Sequence, residues 1–402
     1  MKILILSHKM PYPPKDGGSI VTLNYAKELA NLGCEVTILA MNTYKRKFEV
    51  DKIPEELKKL IKFYAVDVDT KIRLVYLFIN IFQDVSYHIW RYGASSKYKN
   101  TLLEILNSDK FDIVQLEGLY LAPYLGLIKN KTNAKIILRS HNIEYEILER
   151  YADWESSILK KYWLKVQSER LRKYEFKVLN QFDAVIAITE RDARVFKENN
   201  CKVPIFVAPA GIEIDNYKVQ PTLIEPNSLF FIGALDWFPN QQGLEWFLKN
   251  VWMELHEKLP ELKFYIAGRN PNLWRFSSKI SKFPNVELIG EVEDAIEFMR
   301  NKEIMVVPVF AGSGIRVKII EALAMGKIVI TTSIGIEGIE YGNSKNILIA
   351  NTKDEFVQSI LNCPKIFDSL QGDFMDLSKY DIKILANFLL EFYKKVTKQA
   401  QN

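Results

Sequence analysis

The chain has 402 residues, 48% of them hydrophobic and 26% charged, with a formal charge of +5 at pH 7. That length exceeds what one hydrophobic core usually serves, so two domains are expected, and the composition excludes disordered and collagen-like classes. The mild charge gives no electrostatic footprint for nucleic acid.

The opening run Met1-Lys2-Ile3-Leu4-Ile5-Leu6-Ser7 is too short and too soon followed by charge to read as an export signal. Strand-like runs are predicted at 2–7, 35–41, 62–67, 112–117, 135–140, 184–189 and 205–208, with helical periodicity in most gaps, including 20–32 closed by Gly33. The longest apolar stretch, 74–82, falls short of the roughly 20 residues that span a bilayer. Segment 219–228 carries two prolines, is polar and lacks periodicity, as a linker would. A second set of strands is predicted at 229–235, 263–267, 286–289, 304–308, 328–332 and 347–349, and 380–398 is helical in pattern. This is the alternation of an α/β protein with two Rossmann-like, doubly wound parallel sheets. The expected organisation is an N-terminal domain over 1–218, the linker, a second domain over 229–379 and a C-terminal helix over 380–402. Open sheets of this kind bind ligands beyond the carboxyl ends of their strands, so a cleft between the two domains is the expected site. Cys34, Cys201 and Cys363 are odd in number and far apart, and read as packed thiols rather than a disulfide framework or metal cluster.

The richest stretch is Val306-Val307-Pro308-Val309-Phe310-Ala311-Gly312-Ser313-Gly314-Ile315-Arg316-Val317-Lys318-Ile319-Ile320-Glu321. A strand ends in a glycine loop with exposed amides, and a helix follows carrying Arg316, Lys318 and Glu321. Amides and two cations suit a diphosphate, and a carboxylate one turn further can accept both hydroxyls of a ribose. The same residues would also serve a tight loop and a salt-bridged helix. In the first half, Gly17-Gly18 stands just before a predicted helix, where backbone can approach an anion or simply turn. The strand ends at 112–117 and 135–140 deliver Glu117 and His141-Asn142-Ile143-Glu144. For His141 a functional and a packing role are both open; for Glu117 and Glu144, so are helix capping and surface charge.

These motifs resemble the GT-B glycosyltransferases of family 4, over nearly the whole chain. The resemblance implies a nucleoside-diphosphate sugar donor, a retaining hexosyl transfer, and a place in bacterial surface polysaccharide assembly. It sets Gly17 and Gly18 near the donor phosphate, His141 on the transferred sugar and Glu321 on the ribose. Catalysis is expected from His141, Arg316 and Lys318. Donor binding is expected from Gly17, Gly18, Gly233, Arg269, Gly312, Ser313, Gly314, Ile315 and Glu321, and the acceptor side from Glu117, Asn142 and Glu144. Two departures stand out. Ser313 occupies the position of the family's first glutamate, and the loop Gly233-Ala234-Leu235-Asp236-Trp237-Phe238-Pro239-Asn240 lacks the usual arginine and lysine, for which Arg316 and Lys318 are the expected substitutes. By analogy with the family, the C-terminal helix is expected to cross back to the first domain.

No cofactor beyond the donor and no metal are expected, since the one Asp-x-Asp spacing, Asp67-Val68-Asp69, lies far from the phosphate motif. The acceptor is expected to be a glycan or a lipid-linked glycan, and the location cytoplasmic, at the inner face of the membrane if the acceptor is lipid-linked. Segment 158–177 reads as a basic, aromatic-rich helix that either lies on anionic lipid or packs its aromatics into its domain. A nucleotide-sugar epimerase of the same fold and a non-catalytic binding or scaffold protein are the alternative functions.

Overall fold

The computed structural model describes residues 1–44, 47–71, 80, 85–217, 224–312, 314–369 and 375–398. The apolar stretch 74–82, apart from Asn80, half of the expected linker, and Ser313 lie outside them. The chain divides into two compact units, Met1–Gly211 with Ile382–Asn402, and Ile212–Asp381.

Unit 1 is built on a seven-stranded sheet of order β3-β2-β1-β4-β5-β6-β7. Its strands are β1 (Lys2–Ser7), β2 (Glu35–Asn42), β3 (Ile61–Asp67), β4 (Ile113–Glu117), β5 (Lys135–Ser140), β6 (Ala184–Ala187) and β7 (Ile205–Val207). Every neighbouring pair is parallel. The runs Ile3-Leu4-Ile5-Leu6 and Ile136-Ile137-Leu138 are buried on both faces, as a helix-covered parallel sheet requires. At the edge, β3 buries Ile61, Phe63 and Val66 but exposes Lys62 and Asp67. Helix α1 (Gly17–Asn31) crosses from β1 to β2 and is capped by Asp16, whose carboxylate accepts the Ser19 amide at 3.0 Å. That cap draws Gly17 and Gly18 into the first turn, correcting their expected place ahead of the helix. Helices α2 (Glu144–Trp154) and α3 (Ile158–Leu179) follow β5. Leu164, Leu171, Val178 and Leu179 of α3 join the core, while Ile158, Leu159 and Tyr162 at its start stay exposed.

Unit 2 repeats the plan with six strands in the order β10-β9-β8-β11-β12-β13. They are β8 (Ser228–Ile232), β9 (Lys263–Ala267), β10 (Val286–Gly290), β11 (Ile304–Val307), β12 (Ile328–Thr331) and β13 (Ile347–Ile349), again with parallel pairing. Its core is aromatic: Phe231, Phe247, Trp252 and Phe264 are fully buried, and the Trp252 indole donates to the Pro284 carbonyl at 2.8 Å. Helix α4 (Phe238–Phe247) runs on through a π turn, Leu248–Trp252. Gly243 makes this packing possible, since a Cβ there would sit 1.7 Å from the Pro308 carbonyl oxygen at the end of β11. Helix α5 (Val317–Ala324) follows β11. The chain then returns to unit 1 with α6 (Ile382–Lys398), which packs on α1 and buries Ile382, Leu385, Leu389 and Tyr393. Each such apolar side chain contributes about 2 kcal/mol relative to exposure.

Each predicted strand corresponds to one in the structure, with ends moved by a few residues at most. The winding reverses between β1 and β4 in unit 1 and between β8 and β11 in unit 2, and ligands of open α/β sheets bind beyond the strand ends at such points.

Candidate functional site

In unit 1 the strands around the switch point end in His8 and Lys9, Glu117, and His141 and Asn142. Glu117 is 1% exposed and anchors this cluster. One carboxylate oxygen receives His141 Nε2 at 2.6 Å and the Thr22 hydroxyl of α1 at 3.0 Å; the other receives the Gln115 amide. Burial alone would push this carboxyl up, but the bond and charge of His141, the charge of Arg139 and the Gln115 bond outweigh it and hold it at about 2. An ionised carboxylate only accepts, so the proton of the His141–Glu117 bond sits on Nε2. His141 is the partly exposed member of the pair, at 15% against 2%. Glu117, expected on the acceptor side, is buried and bonded to His141, Thr22 and Gln115.

Glu144 is likewise buried, and its carboxylate accepts from the Tyr120 hydroxyl at 2.6 Å and from Asn142 at 3.5 Å. Burial holds its carboxyl above the usual range against those bonds. Beside it the rings of His8, Tyr120 and Tyr92 form a cluster, with centroids 5.0 Å (His8–Tyr120), 4.9 Å (Tyr92–Tyr120) and 6.0 Å (His8–Tyr92) apart. The Lys9 ammonium, 2.7 Å from Asp16, lies across the start of α1, where a Cβ on Gly18 would come within 2.8 Å of it.

In unit 2 the loop between β11 and α5 turns at Gly312 and Gly314, with φ of +100° and +81° that other residues rarely adopt. Arg316 curls back on this loop and donates to the carbonyls of Gly314 and Ala311, while its backbone caps α5. Ile315 lies between them, part-buried. Lys318 reaches the end of β8. Its ammonium is 3.8 Å from the Phe231 ring centroid and 3.4 Å from the Asn240 side-chain oxygen, and a Cβ on Gly233 would come within 2.9 Å of it. Burial and the charge of Arg316 pull Lys318 down to about 7, against the pull of Glu321. Glu321 accepts the Tyr217 hydroxyl at 2.8 Å; burial raises its carboxyl, opposed by that bond and by Lys318. Arg269 follows β9; its guanidinium faces Asp236 at 3.6 Å and its carbonyl accepts the Leu235 amide at 3.1 Å, in the loop that follows β8. Among the described residues no group of three or more His, Cys, Asp or Glu could hold a metal ion.

The structure therefore gathers Gly233, Gly312, Gly314, Arg316, Lys318 and Glu321 around one strand-end region of unit 2, and Gly17, Gly18, Glu117, His141, Asn142 and Glu144 around another in unit 1. Sequence reasoning missed Lys9, Thr22, Tyr120, Tyr217 and Asn240. Asn240 lies in a quoted loop and could have been found there; the others carry no local signal.

Two parallel sheets of this winding, each with polar groups at its switch point, are the architecture of the GT-B fold. A model of Glycosyltransferase Family 4 matches residues 15–216, and one of Glycosyl transferases group 1 matches 226–364. The chain belongs to glycosyltransferase family 4. It is 26% identical over 376 residues to an uncharacterized 44.6 kDa protein in the cps region of Klebsiella pneumoniae, covering 90% of this chain and 91% of that one. Among solved structures, the sucrose-phosphate synthase of Thermosynechococcus elongatus superposes with a TM-score of 0.73 at 12% identity, over 99% and 100% of the two chains. Anabaena HepE in complex with UDP and glucose gives 0.69 at 12%, over 98% and 100%. A glycosyltransferase of Rickettsia africae gives 0.64 at 19%, over 99% and 98%.

Proposed function

We propose that this glycosyltransferase moves a hexose from a UDP-sugar to a glycan or lipid-linked acceptor, with retention and without a metal, as a cytoplasmic enzyme of bacterial surface polysaccharide assembly. The observation that carries the reading is Lys318, an ammonium lodged at the end of β8 against an aromatic face and an amide oxygen, with Arg316 and two glycines beside it. When the bond from the sugar to phosphate breaks, negative charge collects on the leaving diphosphate, and preorganised cations stabilise it there. The bond to the acceptor oxygen forms on the same face of the sugar, and the acceptor's proton passes to the leaving phosphate, so no protein base is required. Glu321 takes the ribose hydroxyls, its carboxylate oriented by Tyr217. His141, its proton held on Nε2 by Glu117, contacts the transferred sugar. UDP rather than another nucleotide is favoured by the UDP complexes of HepE and of Staphylococcus aureus TarM, and the surface role by the cps-region relative.

A thermal-shift screen of nucleoside diphosphates tests this directly, because a ligand of the native state raises its apparent stability by mass action. UDP and UDP-hexoses are expected to raise Tm in the wild type and not in Glu321→Ala. No shift with any nucleoside diphosphate would overturn the donor site, and release of a free epimerised sugar without acceptor would make the protein an epimerase.

The start of α3 supports a lipid-linked acceptor. Ile158 and Leu159 are 83% and 84% exposed, Trp154 and Tyr162 flank them, and Lys160, Lys161 and Lys165 follow on the same helix, Lys160 and Lys165 paired with Glu155 and Asp153. Apolar side chains next to lysines suit the interface of an anionic bilayer. Sedimentation with phosphatidylglycerol-containing vesicles at low salt is expected in the wild type and lost in Ile158→Ser/Leu159→Ser; equal sedimentation of both would remove this surface from the reading.

A further inference from the structure

We infer that Tyr393, on the C-terminal helix α6, is a positioning residue for His141, acting through Gln115 and Glu117. The inference rests on the reading of His141 as the sugar-contacting histidine. The chain of bonds is continuous and lies wholly within unit 1. The Tyr393 hydroxyl donates to Gln115 Oε1, Gln115 Nε2 donates to Glu117 Oε1, and Glu117 Oε2 accepts from His141 Nε2 at 2.6 Å. Tyr393 and Gln115 are fully buried and Glu117 almost so.

The chemistry gives each link a direction. A side-chain amide has one accepting and one donating end, and inside a protein the wrong end facing a carboxylate is repelled. Burial keeps the Tyr393 phenol protonated far above neutral pH, so its hydroxyl is a standing donor. That donor selects the Gln115 orientation with oxygen toward Tyr393 and NH2 toward Glu117. Glu117 then has one oxygen anchored, which leaves the other for Thr22 and His141. The nearby cation does not do this work. Arg139 contributes charge to Glu117, but its guanidinium stacks 3.8 Å over the Tyr25 ring and bonds the Ala208 carbonyl, with Nε and Nη1 lacking a hydrogen-bond partner among the described residues. The oxygen of Glu117 turned away from His141 is held by the neutral amide of Gln115, and the group behind that amide, Tyr393, lies 278 residues from Gln115 in sequence.

The phenol oxygen is therefore the group to remove. In full-length Tyr393→Phe, kcat with UDP-hexose and acceptor is expected to fall about tenfold, the worth of one net hydrogen bond, with the donor KM and the UDP thermal shift unchanged. The Nε2 proton of His141, one of four histidines, is expected to exchange slowly enough to be seen by NMR in the free wild type and to be lost in Tyr393→Phe. In a Glu117→Gln background the same substitution should change kcat by less than about twofold, because residues of one chain do not add. Gln115→Met, one link nearer, should reproduce both changes and guards against a folding defect peculiar to position 393. Wild-type kcat together with an intact His141 signal in Tyr393→Phe, or a loss that adds in full to that of Glu117→Gln, would overturn the inference. If His141→Ala turns over at the wild-type rate, the role of His141 itself has failed, and its Nε2 signal still decides whether Tyr393 orients the ring.

Discussion

The two switch-point regions use opposite electrostatics. In unit 1 the charged groups arrive already answered: Glu117 holds His141, Thr22 and Gln115, and Lys9 holds Asp16. In unit 2 Lys318 meets an aromatic face and an amide oxygen in place of a carboxylate, and Arg316 bonds loop carbonyls. A satisfied cluster fixes geometry, whereas a cation drawn down to about 7 by burial and a neighbouring guanidinium gains most when an anion arrives. On the proposed function, one region holds a side chain still and the other receives charge.

The sharpest way to break that contrast is Lys318→Ala, for which turnover is expected to drop roughly 100- to 1,000-fold, as for loss of one preorganised donor to a developing anion. Near-normal steady-state kcat would show that unit 2 does not stabilise the leaving group through this residue. Gly243→Ala separates the units by stability. Its Cβ would press on the Pro308 carbonyl, and chemical denaturation should show unit 2 weakened by about 3 kcal/mol with the transition of unit 1 unmoved. Glu117→Gln sharpens the contrast from the other side: a 10- to 100-fold fall in kcat is expected, typical of lost support behind a working side chain, with the UDP thermal shift retained.

How far the sequence carried this picture depends on distance along the chain. The sheets were legible because apolar runs such as Ile3 to Leu6 are local, and the loop of Gly312, Gly314, Arg316 and Lys318 because its residues are adjacent. The Tyr217–Glu321 bond joins residues 104 apart and the Tyr393–Gln115 bond residues 278 apart, so neither left a local pattern. Glu117 was legible as a strand-end carboxylate, but period two alone does not say whether such a residue turns outward or beneath its neighbours. Gly17 and Gly18 were placed ahead of α1 because a glycine pair reads as a turn, and the Asp16 cap decided otherwise.

The smallest expected effect is one of pH. A diphosphate favours charged Lys318 and raises its pKa on binding, so binding takes up protons and UDP affinity should weaken as pH rises through 7, by about tenfold per unit at most. Calorimetry in buffers of different ionisation enthalpy would show this uptake, and Lys318→Met should abolish it. In the free protein the sign for stability is the reverse. The unfolded chain holds this proton up to about 10.5 and the native chain only to about 7, so the penalty is complete below pH 7 and is relieved as pH rises between the two.

Unit 2 is a continuous stretch, Ile212–Asp381, set inside a unit 1 that is split in sequence. During synthesis from the N-terminus, the ribosome therefore finishes unit 2 while unit 1 still lacks its last helix. On the proposed function, a chain clipped before Ile382, or one whose C-terminal tag strains α6, would keep its donor-binding unit with the Tyr393 end of the His141 support missing. Such a product would pass a nucleotide-binding assay and fail a transfer assay, which is reason to place affinity tags elsewhere and to judge a preparation by turnover.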